Sequence, residues 1–421
     1  MEAGTKKYIS SRQQPLPKIF TLSNGIRVVV ENYGTYPIAA VGVLVPSGGR
    51  FENEKTAGLS HFMEHMLFQG TKHRTSNEIA AAIENVGGWV SAATYAQYTV
   101  FSHHLPVEQI PLSIELLADM IRFPLFKPEL IATEAKVVAQ EIYASLDNPQ
   151  RLARNSLLKA IYGKDPLANV GLGTVDSIKA FAQKDFIAYH QKHYLTEGLV
   201  VSLAGKIDIA STLPLLENTF GKIPNKPAPA KWKRPTFLKN TVVTQKAIDQ
   251  VHIVLGLPGY PEYSKEAVVL NLLASVFGGN MSSRLFRRLR YEEPLVYNIG
   301  AYPIAYTNAG YLNIFAETSP ENKTKVQQII IEEIKKMQEA KITAEELQHA
   351  KATIFGEMLI NLEACDNRMY ENACAVYLSD AVYTVKEQTE QIYAITMEDA
   401  NKVIDETFEL AQLSTSIVQN S

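Results

Sequence analysis

The chain repeats itself at about half its length. Phe101-Ser-His-His-Leu-Pro106 is answered 214 positions later by Phe315-Ala-Glu-Thr-Ser-Pro320. The surrounding segments follow the same plan: the apolar run Ile38 to Val45 is matched by Val251 to Leu257, the helical pattern Val107 to Ile121 by Asn322 to Ala340, and Lys127 to Glu141 by Thr343 to Glu357. Self-similarity on this scale predicts two copies of one unit, and 421 residues are enough for each copy to bury its own core. Within each copy strands come first, then helices, then a crossover strand. The expected class is therefore α+β: two homologous α/β-sandwich halves, each an antiparallel-type sheet with helices packed on it. Between them, Gly221-Lys-Ile-Pro-Asn-Lys-Pro-Ala-Pro-Ala-Lys-Trp-Lys-Arg-Pro235 reads as a linker. This places an N-terminal half at 1–220, a linker at 221–240 and a C-terminal half at 241–421.

Local signals fill in the plan. Asn24-Gly25 between apolar runs predicts a hairpin over Lys18 to Glu31. Ser76 is the expected cap of a helix reaching Val86, closed by Gly87-Gly88. Trp89 to His104 carries strand residues, and Thr174 opens a helix expected to run to about His193.

The two copies differ in chemistry. His61-Phe-Met-Glu-His65 sits in Ala57 to Gly70, on a helix expected to begin near Thr56. His61 and His65 are one turn apart and project from one face, so both imidazoles can reach one Zn²⁺. Glu64 lies on the same side, placed to take a proton from a water at that metal. This His-x-x-Glu-His order inverts the commoner His-Glu-x-x-His zinc motif. The corresponding helix of the second copy, Ala267 to Phe277, lacks these ligands. On the Pro128 to Tyr143 helix, Glu134 and Glu141 are two turns apart on one face. Pattern alone leaves them open between a solvated acidic stripe and a functional pair. His190 and His193 have no acid suitably spaced beside them and read as structural.

Composition excludes several classes. A net charge of −3 is not the footprint of a nucleic-acid binder. Cys365 and Cys374 are too few for a disulfide framework and read as packing residues. Met1 to Pro17 is polar and has no secretory apolar core, and no apolar run approaches the ~20 residues of a membrane span. The expectation is a soluble protein of the cytoplasm or an organelle matrix, with no nucleic acid or membrane partner.

These motifs together resemble the inverzincin family of pitrilysin, insulysin and the mitochondrial processing peptidase, in particular its half-length, processing-peptidase-like branch. The likeness runs from Phe20 onward. It includes Gly87-Gly88 followed by Ala92 and Thr94, Leu172-Gly-Thr-Val-Asp-Ser-Ile178, and Tyr194 to Asp208. The resemblance implies a zinc metalloendopeptidase acting on extended or unfolded peptides, with one Zn²⁺ per chain. By its spacing, Glu141 (76 residues past His65) becomes the third ligand and Glu134 its support behind the ligands. An arginine and a tyrosine seven residues apart hold substrate in the family. Arg290 and Tyr297 match them, while Arg284, Arg287 and Arg288 read as a solvated basic face. The strand Ser91-Ala92-Ala93-Thr94 is expected to pair with substrate, with Ser91 where relatives carry asparagine. Metal motif and Arg290/Tyr297 in one chain favour a homodimer over a heterodimer. The alternatives are a non-catalytic, core-type structural subunit, or a processing subunit active only beside a metal-less partner.

Overall fold

In a computed structural model, the described residues are 16–169, 171–194, 197–224, 226–227 and 232–420. The polar N-terminal stretch, up to residue 15, and linker positions 225 and 228–231 lie outside them.

The first sheet contains β1 (Lys18–Thr21), β2 (Arg27–Asn32), β3 (Ile38–Val45), β4 (Trp89–Thr94), β5 (Thr99–Pro106) and β6 (Val200–Gly205), in the spatial order β1-β2-β6-β3-β5-β4. Its hairpin turns at Asn24-Gly25, as expected, with Lys18 opposite Val30 and Thr21 opposite Arg27. Asn24 secures the turn by donating from Nδ2 to the carbonyls of Phe220 (2.8 Å) and Ile223 (3.0 Å). The second sheet contains β7 (Thr241–Gln245), β8 (Val251–Pro258), β9 (Val296–Tyr306), β10 (Ala309–Thr318) and β11 (Ser414–Gln419), ordered β7-β11-β8-β10-β9. The duplication is visible strand by strand: β2/β6 and β7/β11 are the parallel pairs, and every other neighbouring pair is antiparallel.

Both sheets are covered on two faces, and this decides how the chain divides. Strand β3 is buried from Ala39 through Val45, and β8 from Val251 through Leu257, with no alternation of polar residues. A strand of this kind needs apolar cover above and below. One face of the first sheet packs on α1 (Leu59–Leu67), α2 (Ser76–Glu84) and α3 (Ile110–Arg122). The other face is covered by the helix Cys365–Ser379 from the far end of the chain, whose Ala373, Cys374 and Val376 pack against Leu44 and Val200. Arg368 pairs there with the buried carboxylate of Glu31, which also accepts from Asn372 Nδ2 at 2.7 Å. Reciprocally α5 (Pro149–Tyr162), which follows α4 (Pro128–Asp147), packs on the second sheet, and Asn240 Nδ2 donates to its Ala160 carbonyl at 2.7 Å.

The compact units are thus interleaved in sequence. The first gathers the chain up to 142, 169–231 and 359–388, and the second 143–168, 232–358 and 389–421. A cut at the linker, as expected from composition, would strip each sheet of one covering helix.

Local details correct other expectations. Thr75, not Ser76, caps α2, in a reciprocal box with Glu78. The helix expected from Thr174 to His193 is two, Val175–Ala180 and Gln183–His193, because the chain extends at Phe181 and Ala182. Arg284 is not part of a solvated face: its guanidinium is bidentate to Glu346, both bonds 2.7 Å, and its side chain is 14% exposed. Both cysteines are buried and free, which suits their reading as packing residues. No helix among the described residues is long and apolar enough to cross a membrane.

Candidate metal centre

The site begins with the start of α1. Glu52, buried and six residues before the cap Gly58, turns its carboxyl group onto the helix N-terminus. It accepts from the N–H groups of Gly58 (2.8 Å) and Ser60 (2.7 Å) and from the Ser60 hydroxyl. Two of the four donors that a helix leaves unpaired are satisfied this way, by carboxyl oxygens at the positive end of the helix dipole. The same end is clamped from the opposite side. Gly58 (φ +90°) and Gly173 (φ +69°) lie back to back, and a Cβ on Gly173 would fall 2.3 Å from the Ala57 carbonyl oxygen. Ser177 Oγ donates to that oxygen at 2.8 Å. The Leu172–Ile178 motif is therefore a brace for the zinc-motif helix.

From this anchored start, Phe62, Met63, Met66 and Leu67 point into the core, and His61, Glu64 and His65 are left on the opposite, half-buried face. Helix α4 brings Glu141 to them. One ligand atom each from His61, His65 and Glu141 lies within 4.8 Å of the others, the one such cluster among the described residues. Nε2 of His61 is 3.4 Å from Glu141 Oε2, and Nε2 of His65 is 3.6 Å from it. Two atoms held tetrahedrally at about 2.0–2.1 Å from one zinc stand roughly 3.3 Å apart, so the spacing fits that ion. Glu141, 43% exposed at its side chain, leaves the approach from solvent open.

Glu134, two turns before Glu141, faces His65 from behind. Its Oε1 is 2.8 Å from His65 Nδ1, and its Oε2 accepts from Gln69 Nε2 at 2.8 Å. A proton on Nδ1 leaves the Nε2 lone pair turned to the metal position, the arrangement by which a carboxylate orients a ligating imidazole. Burial disfavours a charged His65, yet the hydrogen bond to Glu134 and the nearby Glu141 and Glu64 carboxylates raise its pKa above the ordinary value. Three carboxyl groups thus converge on this place and favour a cation there. Replacing Glu134 by Gln is expected to weaken zinc binding by about 10–100-fold, measured by competition with a chromophoric chelator.

Glu64 takes no part in the ligand set. Its Oε2 accepts from Thr94 Oγ1 at 2.6 Å. Burial raises its pKa foremost, with Glu141 adding to the effect and Thr94 and His65 opposing it. A carboxylate tuned upward next to a metal position is suited to accept a proton from water.

The remaining expected residues are placed as follows. Among the described residues β4 is an edge of its sheet, with β5 as its one neighbour. Alternation separates its side chains: Ala92 packs on the core side and Thr94 reaches Glu64, whereas Ser91 and Ala93 line a cavity on the opposite face with Trp89 and His104. Ser91 therefore faces away from Glu64. Arg290 and Tyr297 belong to the second unit. Arg290 lies in the wide-turned segment Arg287–Glu292 and donates from Nη1 to the Val296 carbonyl at 2.9 Å, and Tyr297 is 62% exposed at the start of β9. His190 and His193 are structural: His190 Nε2 is 2.7 Å from the Ile121 carbonyl, and His193 packs on Phe51 and Tyr189.

Glu52 and Gln69 did not emerge from the sequence. Gln69, one turn after His65, carried a helical-spacing signal, and Glu52 carried none. Burial pushes the Glu52 carboxyl from 4.5 up to about 7, against its three hydrogen bonds. A raised folded-state pKa gives stability that is full below pH 4.5 and is lost as pH rises towards about 7. The expected loss is roughly 3 kcal/mol. In Glu52→Gln this slope should vanish, read as the difference in urea unfolding midpoint between the two proteins at pH 5 and pH 8.

Comparison with known proteins bears on the same residues. Residues 27–175, which carry His61, Glu64, His65 and Glu141, match the family model described as Insulinase (Peptidase family M16), and 180–354 match the Peptidase M16 inactive domain. An uncharacterized zinc protease of Bacillus subtilis is 30% identical over 95% of this chain and 98% of its own. Another, from Rickettsia felis, is 31% identical over 82% of this chain and 84% of its own. Among solved structures, a protease from Helicobacter pylori shares the fold with a TM-score of 0.91 at 22% identity, covering 96% of this chain and all of that one. The residues, the duplicated fold and these relatives agree: the chain belongs to peptidase family M16, as a half-length member with both its α/β halves.

Proposed function

We propose that the chain is a zinc metalloendopeptidase that hydrolyses peptide bonds in extended or unfolded peptides. The observation that carries this is Glu64: a half-buried carboxyl group of raised pKa beside a three-residue metal cluster that does not use it as a ligand. His61, His65 and Glu141 hold the zinc, which when bound polarises the scissile carbonyl and acidifies a water. Glu64 removes the proton of the attacking water and returns it to the leaving amine. Thr94 fixes the carboxylate for both transfers, and Glu134 keeps His65 in its ligating tautomer. The free edge of β4 offers backbone donors and acceptors to an extended peptide. Exposed Tyr297 supplies a hydroxyl for the developing oxyanion, and Arg290 orients the peptide backbone. Because metal cluster and substrate residues reside in one chain, a homodimer is sufficient.

The structural-subunit reading is less well supported, since His61, Glu64, His65 and Glu141 are all intact. The test is peptide hydrolysis by the isolated chain with and without chelator. Cleavage that stops on chelation and returns with equimolar zinc is the expected result. Zinc-free protein that stays inert after zinc is added sinks the reading, and activity that requires a second polypeptide favours the processing-subunit alternative.

A further inference from the structure

We propose that the second unit binds the C-terminal carboxylate of a peptide, in a groove between the N-terminal part of α5 and the sheet beneath it. This groove, about 250 Å³, is lined by Arg151 and Arg154 from the helix and by Tyr302, Asn313 and Phe315 from β9 and β10.

Three observations converge on it. Arg151 and Arg154, three residues apart, share one face near the start of a 14-residue helix. Cations at that end oppose the helix dipole, which favours anions there. No acidic residue stands in the first turn, and neither guanidinium forms a hydrogen bond or ion pair among the described residues. The positive charge is thus concentrated and unanswered. Secondly, Asn313 is 1% exposed, yet its Oδ1 has no hydrogen-bond partner among the described residues. Buried polar atoms are seldom left so, and a ligand that brings an N–H satisfies this one. Thirdly, Asn313 sits directly opposite Tyr302 in the strand register, and the Tyr302 and Phe315 rings lie 6.0 Å apart, giving an apolar shelf beside the amide.

The charge is not a consequence of the fold. The corresponding place in the first unit, between β4/β5 and the Cys365–Ser379 helix, is a cavity of about 290 Å³ with His104, Asp366 and Tyr370 among its lining and no arginine. A peptide end meets every feature of the second groove. Its carboxylate suits the guanidinium forks, its last amide N–H suits Asn313 Oδ1, and its terminal side chain suits the rings.

The test does not rest on the peptidase reading. Full-length chain kept in chelator is titrated into a fluorescently labelled uncharged hexapeptide, as the free acid and as the C-terminal amide, with anisotropy as readout. The acid is expected to bind at least tenfold more tightly. The double variant Arg151→Ala/Arg154→Ala is expected to abolish that ratio without changing amide affinity, and the double Lys variant to restore it in part. Equal affinities for acid and amide, or a ratio that survives the double alanine variant, overturn the proposal. Inorganic phosphate is the second arm: displacement of the acid at or below the peptide's own Kd makes this a phosphate site and overturns the assignment, whereas failure to displace it there supports the peptide end.

Discussion

Glu64→Gln is expected to bind zinc with wild-type stoichiometry and affinity while kcat for peptide hydrolysis falls by about 10³-fold, within the range for removal of a positioned general base. The reasoning is geometric. Glu64 lies on the ligand face of α1 but outside the ligand set, and Thr94 binds one of its oxygens at 2.6 Å. Glutamine keeps the shape and can still accept from Thr94, but it cannot take up a proton. Since the side chain acts on the reacting water rather than on bound substrate, KM should change little, and the loss should appear almost wholly in kcat. Zinc content by atomic absorption and steady-state kinetics on one peptide check both halves. Loss of zinc in this variant would make Glu64 a ligand and contradict the assignment.

Glu141→Gln should fail differently. Here the anion at the metal position is removed, so zinc affinity is expected to drop by more than about 100-fold, beyond the 10–100-fold typical of residues behind the ligands. Activity should be lost in parallel and should recover partly at high zinc, which a base-deficient Glu64→Gln cannot do. Because Glu141 is the most exposed of the three clustered residues, at 43% against 16% and 17% for the histidine side chains, folding should be unaffected. A midpoint of unfolding equal to that of the metal-free wild type would confirm that the loss is local. Metal titration of the two variants side by side therefore separates ligand from base.

Much of this site was legible in the sequence because its parts obey helical periodicity. His61 and His65 are one turn apart on α1, and Glu134 and Glu141 two turns apart on α4, so each pair had to share a face. That the two helices converge was not in the periodicity. It came from the family spacing, and the 3.4 Å from His61 to Glu141 agrees with it. Strand alternation could have placed Ser91 away from Glu64, since it is three residues from Thr94 and so on the other face of β4. Glu52 illustrates what helical and strand periodicity cannot carry: it reaches the start of α1 across an irregular turn, six and eight residues along the chain. The same holds for the fold. The duplication was written in the repeats, but the exchange of covering helices was not. It follows from the two-sided burial of β3 and β8, and the helices that answer it, α5 and Cys365–Ser379, are distant in sequence from the strands they cover. Arg284 looked like its neighbours Arg287 and Arg288, and only packing shows that Glu346 holds it.

The most direct measurement of the zinc centre is X-ray absorption at the zinc edge on the purified chain loaded with one equivalent of metal. Ligation by His61, His65 and Glu141 predicts two imidazoles with oxygen completing the shell, no sulfur, and loss of bound zinc in the Glu141→Gln variant. A sulfur ligand from Cys365 or Cys374, or a spectrum and zinc content unchanged by Glu141→Gln, would contradict it.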